Sequence, residues 1–369
     1  MRKFSVFLLL FAGMAAAVAQ QPVAQRSGVV SAKSSQPVVR PSKAISLPDR
    51  QQQGGKRPKV GLVLGGGGAK GAAEVGALKV IERAGIPIDY IAGTSIGAIV
   101  GGLYAVGYRA EALDSMFRSQ EWLALLADWD EETGSKIYSE RNGVKYVFGF
   151  PVSRKGSKQN DGLFGAVKGD KIIEFLYDAT RLRDSVNFNE LPIPFRCVAT
   201  DVKNMSEVVL DRGSLPLSMR ASMAVPGVFK PVRIGRKTLV DGGVMNNLPV
   251  DVVREMGADI VIAIDLTQNQ RETRDFSLKD LTGIGGVLDW MVSRPDVRKY
   301  NRNKKETDIY IHPLLPDYNA ASFKKQSICQ MIFIGEKTGE RSWKQLEELK
   351  QSLEAYSFGT DFRKVKNGK

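Results

Sequence analysis

Two short apolar runs, each ending in a glycine-framed turn that opens a helical pattern, constrain this chain more than any other feature. Residues 60–64 lead into Gly66-Gly67-Gly68-Ala69-Lys70-Gly71, and residues 90–92 lead into Gly93-Thr94-Ser95-Ile96-Gly97. A strand that passes through a glycine turn into a helix, twice in succession, predicts parallel strands joined by helical crossovers. The pattern continues, with helices expected at 72–83, 96–106, 215–224 and 250–256 and further strands at 195–200, 208–210 and 260–264. A mainly parallel sheet covered on both faces by helices follows. No internal repeat interrupts it.

The flanks differ in kind. Arg2 and Lys3, an apolar run over 4–18 and the small residues Ala17-Val18-Ala19 before Gln20 match an export signal, so 1–19 reads as a signal peptide. The protein is therefore expected to be exported, periplasmic or secreted, and at most peripheral to the envelope membrane. Residues 20–57, rich in Gln, Ser, Pro and basic side chains without period, read as a basic disordered linker. That linker carries a net charge of +6 and residues 266–369 carry +5, while the whole chain is +13; with Arg2 and Lys3 removed, the segment 58–265 is neutral. Basic charge confined to the flanks suits contact with an anionic membrane face, or simple solvation, and no nucleic-acid-binding signature accompanies it. The remainder divides into a catalytic domain at 58–265 and a C-terminal helical extension at 266–369 packing on it, with a helix near 281–292, a strand at 309–311 and a helix at 342–356. Cys197 and Cys329 form no disulfide framework and read as buried apolar residues.

A glycine run between strand and helix also occurs in dinucleotide-binding and phosphate-binding loops. The dinucleotide pattern needs an acidic residue at the end of the second strand, whereas Asp89 begins it; no Gly-Lys-Ser/Thr follows for a phosphate loop. What remains is bare backbone at a helix start, aiming amides at negative charge, which suits the oxygen of a tetrahedral intermediate. Gly67 and Gly68 are the preferred donors. Lys70 either adds field there or is solvated.

Ser95 stands in a Gly-x-Ser-x-Gly turn between an apolar strand and a helix, the context in which a serine is thrust out as a nucleophile. A serine needs a base. The single histidine, His312, ends a predicted strand in the tail and follows Ser95 and Asp241 in an order known from serine hydrolases, yet the oxyanion glycines leave the first strand and the serine the second, so it reads as structural. Asp241, followed by Gly242 and Gly243 at a strand end, is the other base. Its ordinary carboxylate is weakly basic, so it requires a dehydrated pocket. Met116, Phe117, Trp122, Leu123, Leu125, Leu126 and Trp129, and the stripe Leu281, Ile284, Leu288 and Met291, read as core packing or as surfaces for a bilayer or an acyl chain.

Taken together, these residues resemble the bacterial patatin-like phospholipase family. The oxyanion motif maps to Gly66–Gly71, the nucleophile motif to Gly93–Gly97 with Ser95 as nucleophile, and the Asp-Gly-Gly motif to Asp241-Gly242-Gly243 with Asp241 as base. The resemblance implies a three-layer α/β/α sandwich around a mainly parallel sheet. It also implies a Ser-Asp dyad that cleaves acyl esters of phospholipids or related lipids through an acyl-enzyme, with no metal or other cofactor. Lys70 and Gly65 depart from the family, many members of which carry arginine and an acidic residue at these places. A catalytically silent lipid-binding envelope module and a non-lipid acylesterase or transacylase share the same motifs. Acyl-chain preference and oligomeric state are not encoded in them.

Overall fold

The computed structural model describes residues 57–127, 139–141, 144–146, 167–268 and 297–358. The expected signal peptide, the basic linker up to residue 56, Trp129 and the 281–292 stripe lie outside the described residues. In chain order the strands are β1 (Val60–Leu64), β2 (Tyr90–Thr94), β3 (Ser139–Arg141), β4 (Val144–Tyr146), β5 (Val186–Asn187), β6 (Phe195–Asp201), β7 (Ser206–Leu210), β8 (Arg212–Gly213), β9 (Val232–Ile234), β10 (Lys237–Asp241), β11 (Ile260–Ile264) and β12 (Ile309–Ile311). The helices are α1 (Ala72–Arg83), α2 (Ile96–Ala105), α3 (Ala110–Ser119), α4 (Trp122–Leu126), α5 (Asp170–Thr180), α6 (Leu215–Ser222), α7 (Val250–Glu255), α8 (Val297–Glu306), α9 (Lys325–Arg341) and α10 (Trp343–Phe358).

Every residue of β1 and β11 is buried, as continuous apolar strands must be when helices cover both faces of a parallel sheet. Side chains alternate between two apolar clusters. Leu62, Leu64, Ile91, Ile260 and Ile262 face one, with α1, α2, α3, α6 and α9 over them. Val63, Ala92, Val198, Val261 and Ala263 face the other, under α7 with Tyr300 of α8 at its margin. The period-two split of each strand makes a three-layer α/β/α sandwich.

The eight-stranded sheet runs β12-β11-β1-β2-β6-β10-β9, with β7 also on β6. From β12 to β6 neighbours are parallel; β7 and β10 run antiparallel to β6. One edge of β6 is shared end to end. β2 pairs with its first half up to Thr94 opposite Val198, and β10 pairs with its second half down to Asp241 opposite Ala199, while β7 occupies the other edge. Two strands therefore approach along β6 from opposite directions, and their C-terminal ends meet.

The segment after Asp265 enters the same sheet and core. β12 pairs with β11, and α9 lies across α1, where a Cβ at Gly335 would stand 1.9 Å from the Ala73 carbonyl and one at Gly76 2.0 Å from the Ile332 carbonyl. Periodicity assigns no helix to 110–119, 170–180 or 325–341, yet α3, α5 and α9 form there; α9 carries β-branched residues and two glycines, and packing on α1 outweighs its weak propensity. Both cysteines are free, Cys197 buried in β6 and Cys329 only half-buried on α9, so the second is not the core residue expected. Phe117 and Trp122 are core residues and Met116, Leu125 and Leu126 are half-buried against them, whereas Leu123 is exposed. Among the described residues no helix is long and apolar enough to cross a membrane.

Candidate active site

The head-to-head meeting on β6 brings Ser95 and Asp241 together. Ser95 Oγ donates a hydrogen bond of 2.6 Å to Asp241 Oδ2. Both side chains are buried, with 7% and 4% exposure, so this contact forms away from bulk water.

Ser95 follows β2 and precedes the first turn of α2 with φ 56° and ψ −121°, a conformation that costs a non-glycine residue about 1–3 kcal/mol and is kept only where surroundings impose it. Here they do. A Cβ at Gly93 would lie 2.3 Å from the Gly97 carbonyl, and one at Gly97 2.3 Å from the Leu64 carbonyl, so both flanking glycines permit the crossing of strand and helix. The Ser95 N–H donates to Ser222 Oγ at 2.9 Å, and that hydroxyl donates to the Val198 carbonyl at 2.6 Å. Thr94 Oγ1 in turn donates to the Asn246 carbonyl at 2.8 Å.

Asp241 is held on every side. Its Oδ1 accepts the Gly243 N–H at 2.7 Å, its own N–H donates to the Ala224 carbonyl at 2.9 Å, and Thr200 Oγ1 donates to its carbonyl at 3.0 Å. Gly242 and Gly243 begin the short 3-10 turn Gly242–Val244. Burial pushes the carboxyl up to about 6, against the pull of the Ser95 and Gly243 hydrogen bonds. The dehydration that a lone aspartate base requires is present.

The six glycine-loop residues are not equivalent. Gly66 N–H donates to the Asn247 carbonyl, Ala69 N–H to the Ala320 carbonyl and Lys70 N–H to the Gly67 carbonyl, at 3.1, 2.9 and 3.2 Å. These three amides are engaged with backbone carbonyls. Gly71 lies inside the 3-10 turn Gly68–Gly71 and packs on Ile96. The Gly67 and Gly68 amides have no acceptor among the described residues. The loop lies beside Ser95, since a Cβ at Gly66 would be 3.3 Å from Ser95 Cβ. Lys70 is buried, at 2% exposure, so it is not solvated. Burial raises the Glu74 carboxyl well above the usual range, aided by the charge of Asp265.

His312 is elsewhere. Its Nδ1 is 2.9 Å from the Asp265 carbonyl and its ring stacks on Tyr310, at the end of β12. β12 lies three strands from β2, about 14 Å at the usual strand spacing. Asp89 receives both Arg57 guanidinium nitrogens, Lys59 Nζ and the Val60 N–H, so its carboxylate is committed to the start of β1. Sequence motifs pass over Ser222, Thr94's anchoring role and Asn247; the one signal was the Asn-Asn pair just after the Asp-Gly-Gly turn.

The model of the family described as patatin-like phospholipase matches residues 62–254, from β1 through α7 and including Ser95 and Asp241. The chain belongs to the patatin-like phospholipase family. An uncharacterized NTE family protein of Mycobacterium tuberculosis is 30% identical over 218 residues, 59% of this chain and 52% of that one. The human patatin-like phospholipase domain-containing protein 6 is 35% identical over 231 residues, 62% of this chain and 14% of that protein. The patatin-like chain thus spans about half the length of the mycobacterial relative and a smaller part of the human one. The crystal structure of VipD from Legionella pneumophila aligns over 78% of this chain and 67% of that one, at 14% identity and a TM-score of 0.44.

Proposed function

We propose that this patatin-like protein is a serine acyl hydrolase that cleaves carboxylic ester bonds of phospholipids or related lipids through Ser95 and Asp241. The observation that carries this is the 2.6 Å hydrogen bond from Ser95 Oγ to a buried carboxylate raised to about 6. At neutral pH such a carboxylate is ionised yet more basic than a solvated one, which matches a base to its task.

In the first step Asp241 Oδ2 takes the Ser95 proton while Oγ attacks the ester carbonyl. The carbonyl oxygen gathers negative charge between the Gly67 and Gly68 amides, and the leaving alkoxide departs with the proton from Asp241. Water then attacks the acyl-serine, gives its proton to Asp241, and the tetrahedral intermediate collapses to the free acid as that proton returns to Ser95. Residues of the chain supply every proton position.

Incubation with mixed envelope lipids followed by mass spectrometry should show released fatty acids, abolished by Ser95→Ala. Labelling of Ser95 by a fluorophosphonate without any lipid hydrolysis would transfer the same dyad to a non-lipid acyl group, and absence of labelling would leave a silent lipid-binding module. Export rests on residues 1–19, and a mature protein beginning at Gln20 is the expected mass. Peripheral membrane contact rests on the +6 linker, and its removal should weaken binding to anionic vesicles.

A further inference from the structure

A trans peptide unit points its carbonyl and the following N–H in opposite directions. Whatever holds the Gly66 carbonyl therefore aims the Gly67 N–H. Asn247 holds Gly66 twice: its backbone carbonyl accepts the Gly66 N–H at 3.1 Å, and its Nδ2 donates to the Gly66 carbonyl at 3.1 Å. Asn247 is buried, at 1% exposure, and a Cβ at Gly66 would stand 2.3 Å from Asn247 Oδ1, so side chain and loop are packed in contact.

The same short segment touches the other two parts of the site. Asn246 N–H donates to the Gly242 carbonyl at 2.9 Å, inside the turn whose Gly243 amide holds Asp241. The Asn246 carbonyl accepts Thr94 Oγ1, next to Ser95. Oxyanion loop, nucleophile turn and base turn are thus all tied to two adjacent asparagines.

We propose that Asn247 is a positioning residue: by fixing the Gly66–Gly67 peptide plane through Nδ2, it aims the Gly67 N–H at the developing oxyanion and locks that loop to the turn that carries Asp241. This rests on the acyl-hydrolase reading above. A residue that only stabilises the loop would change folding, not the ratio between transition-state and ground-state affinity. A residue that aims a donor changes that ratio.

Two variants test it with the full chain. Asn247→Ala keeps the backbone bond to Gly66 and removes the Nδ2 donor; Asn247→Asp places an oxygen against the Gly66 carbonyl. On a 4-nitrophenyl ester, kcat should fall about 100-fold in the first and further in the second, with KM within about threefold, the lower end of the loss that removing one oxyanion donor causes. Affinity for a trifluoromethyl ketone, which adds Ser95 Oγ and leaves an oxyanion in the loop, should fall by the same factor as kcat/KM. Either kcat within threefold of the parent, or a loss of kcat with unchanged ketone affinity, overturns the proposal. So does loss of fold in both variants by circular dichroism, which would make the role structural. If the parent chain itself neither hydrolyses the ester nor is labelled at Ser95, the underlying acyl-hydrolase reading fails instead.

Discussion

At the Ser95 turn, Gly93 and Gly97 let a strand end, a helix start and the Leu64 carbonyl pass within contact of each other; at the α1–α9 crossing, Gly76 faces the Ile332 carbonyl and Gly335 faces the Ala73 carbonyl. Both places depend on a missing Cβ. The first joins two successive strand-to-helix turns, at the ends of neighbouring strands, and goes with backbone strain at one serine. The second joins two helices whose own sequences do not announce each other, and it adds burial without strain. The strained residue stands at the first contact, whereas neither α1 nor α9 holds a residue of positive φ.

Ser95→Ala and Asp241→Asn should each remove about 10³-fold or more of the ester hydrolysis rate, measured as kcat on folded protein, because nucleophile and base act as a unit. Retained hydrolysis in either would erase the functional half of the contrast. Gly97→Ala drives a methyl against the Leu64 carbonyl and should lower both rate and thermal stability, with soluble yield as a further readout. Gly335→Ala drives one against the Ala73 carbonyl and should cost roughly 1–3 kcal/mol by chemical denaturation while kcat of the folded fraction is unchanged. An equal loss of kcat would show that the crossing and the site are coupled.

The smallest effect concerns pH. In the proposed mechanism Asp241 acts as an ionised base, so kcat/KM should rise through about pH 6 and level above it. The fold holds this proton more tightly than the unfolded chain does, since the folded value of about 6 exceeds the ordinary 3.8. The stability tied to it is complete below about pH 4 and is lost as pH rises through 6. Asp241→Asn should therefore raise Tm by a few degrees at pH 8, about 3 kcal/mol at most from two pKa steps, and by nothing at pH 4. An unchanged Tm at pH 8 would show that ionising the carboxylate carries no cost.

Much of this was legible in the chain. The apolar runs at 60–64 and 260–264, the glycine turns around Ser95 and the Asp241 turn are short-range patterns whose meaning is set by backbone sterics; they determined the layered architecture and singled out the serine and aspartate that the fold places in hydrogen-bond contact. Other features required the fold. That β2 and β10 meet end to end on one edge of β6, that Ser222 receives the Ser95 amide, that Asn247 grips Gly66, and that three of the glycine-loop amides are already engaged all depend on residues far apart in sequence. So does α9, whose weak intrinsic helicity is overruled by its contact with α1. Sequence determines what each segment prefers by itself; hydrogen-bond partners and close contacts between distant segments exist only once packing has chosen which segments touch.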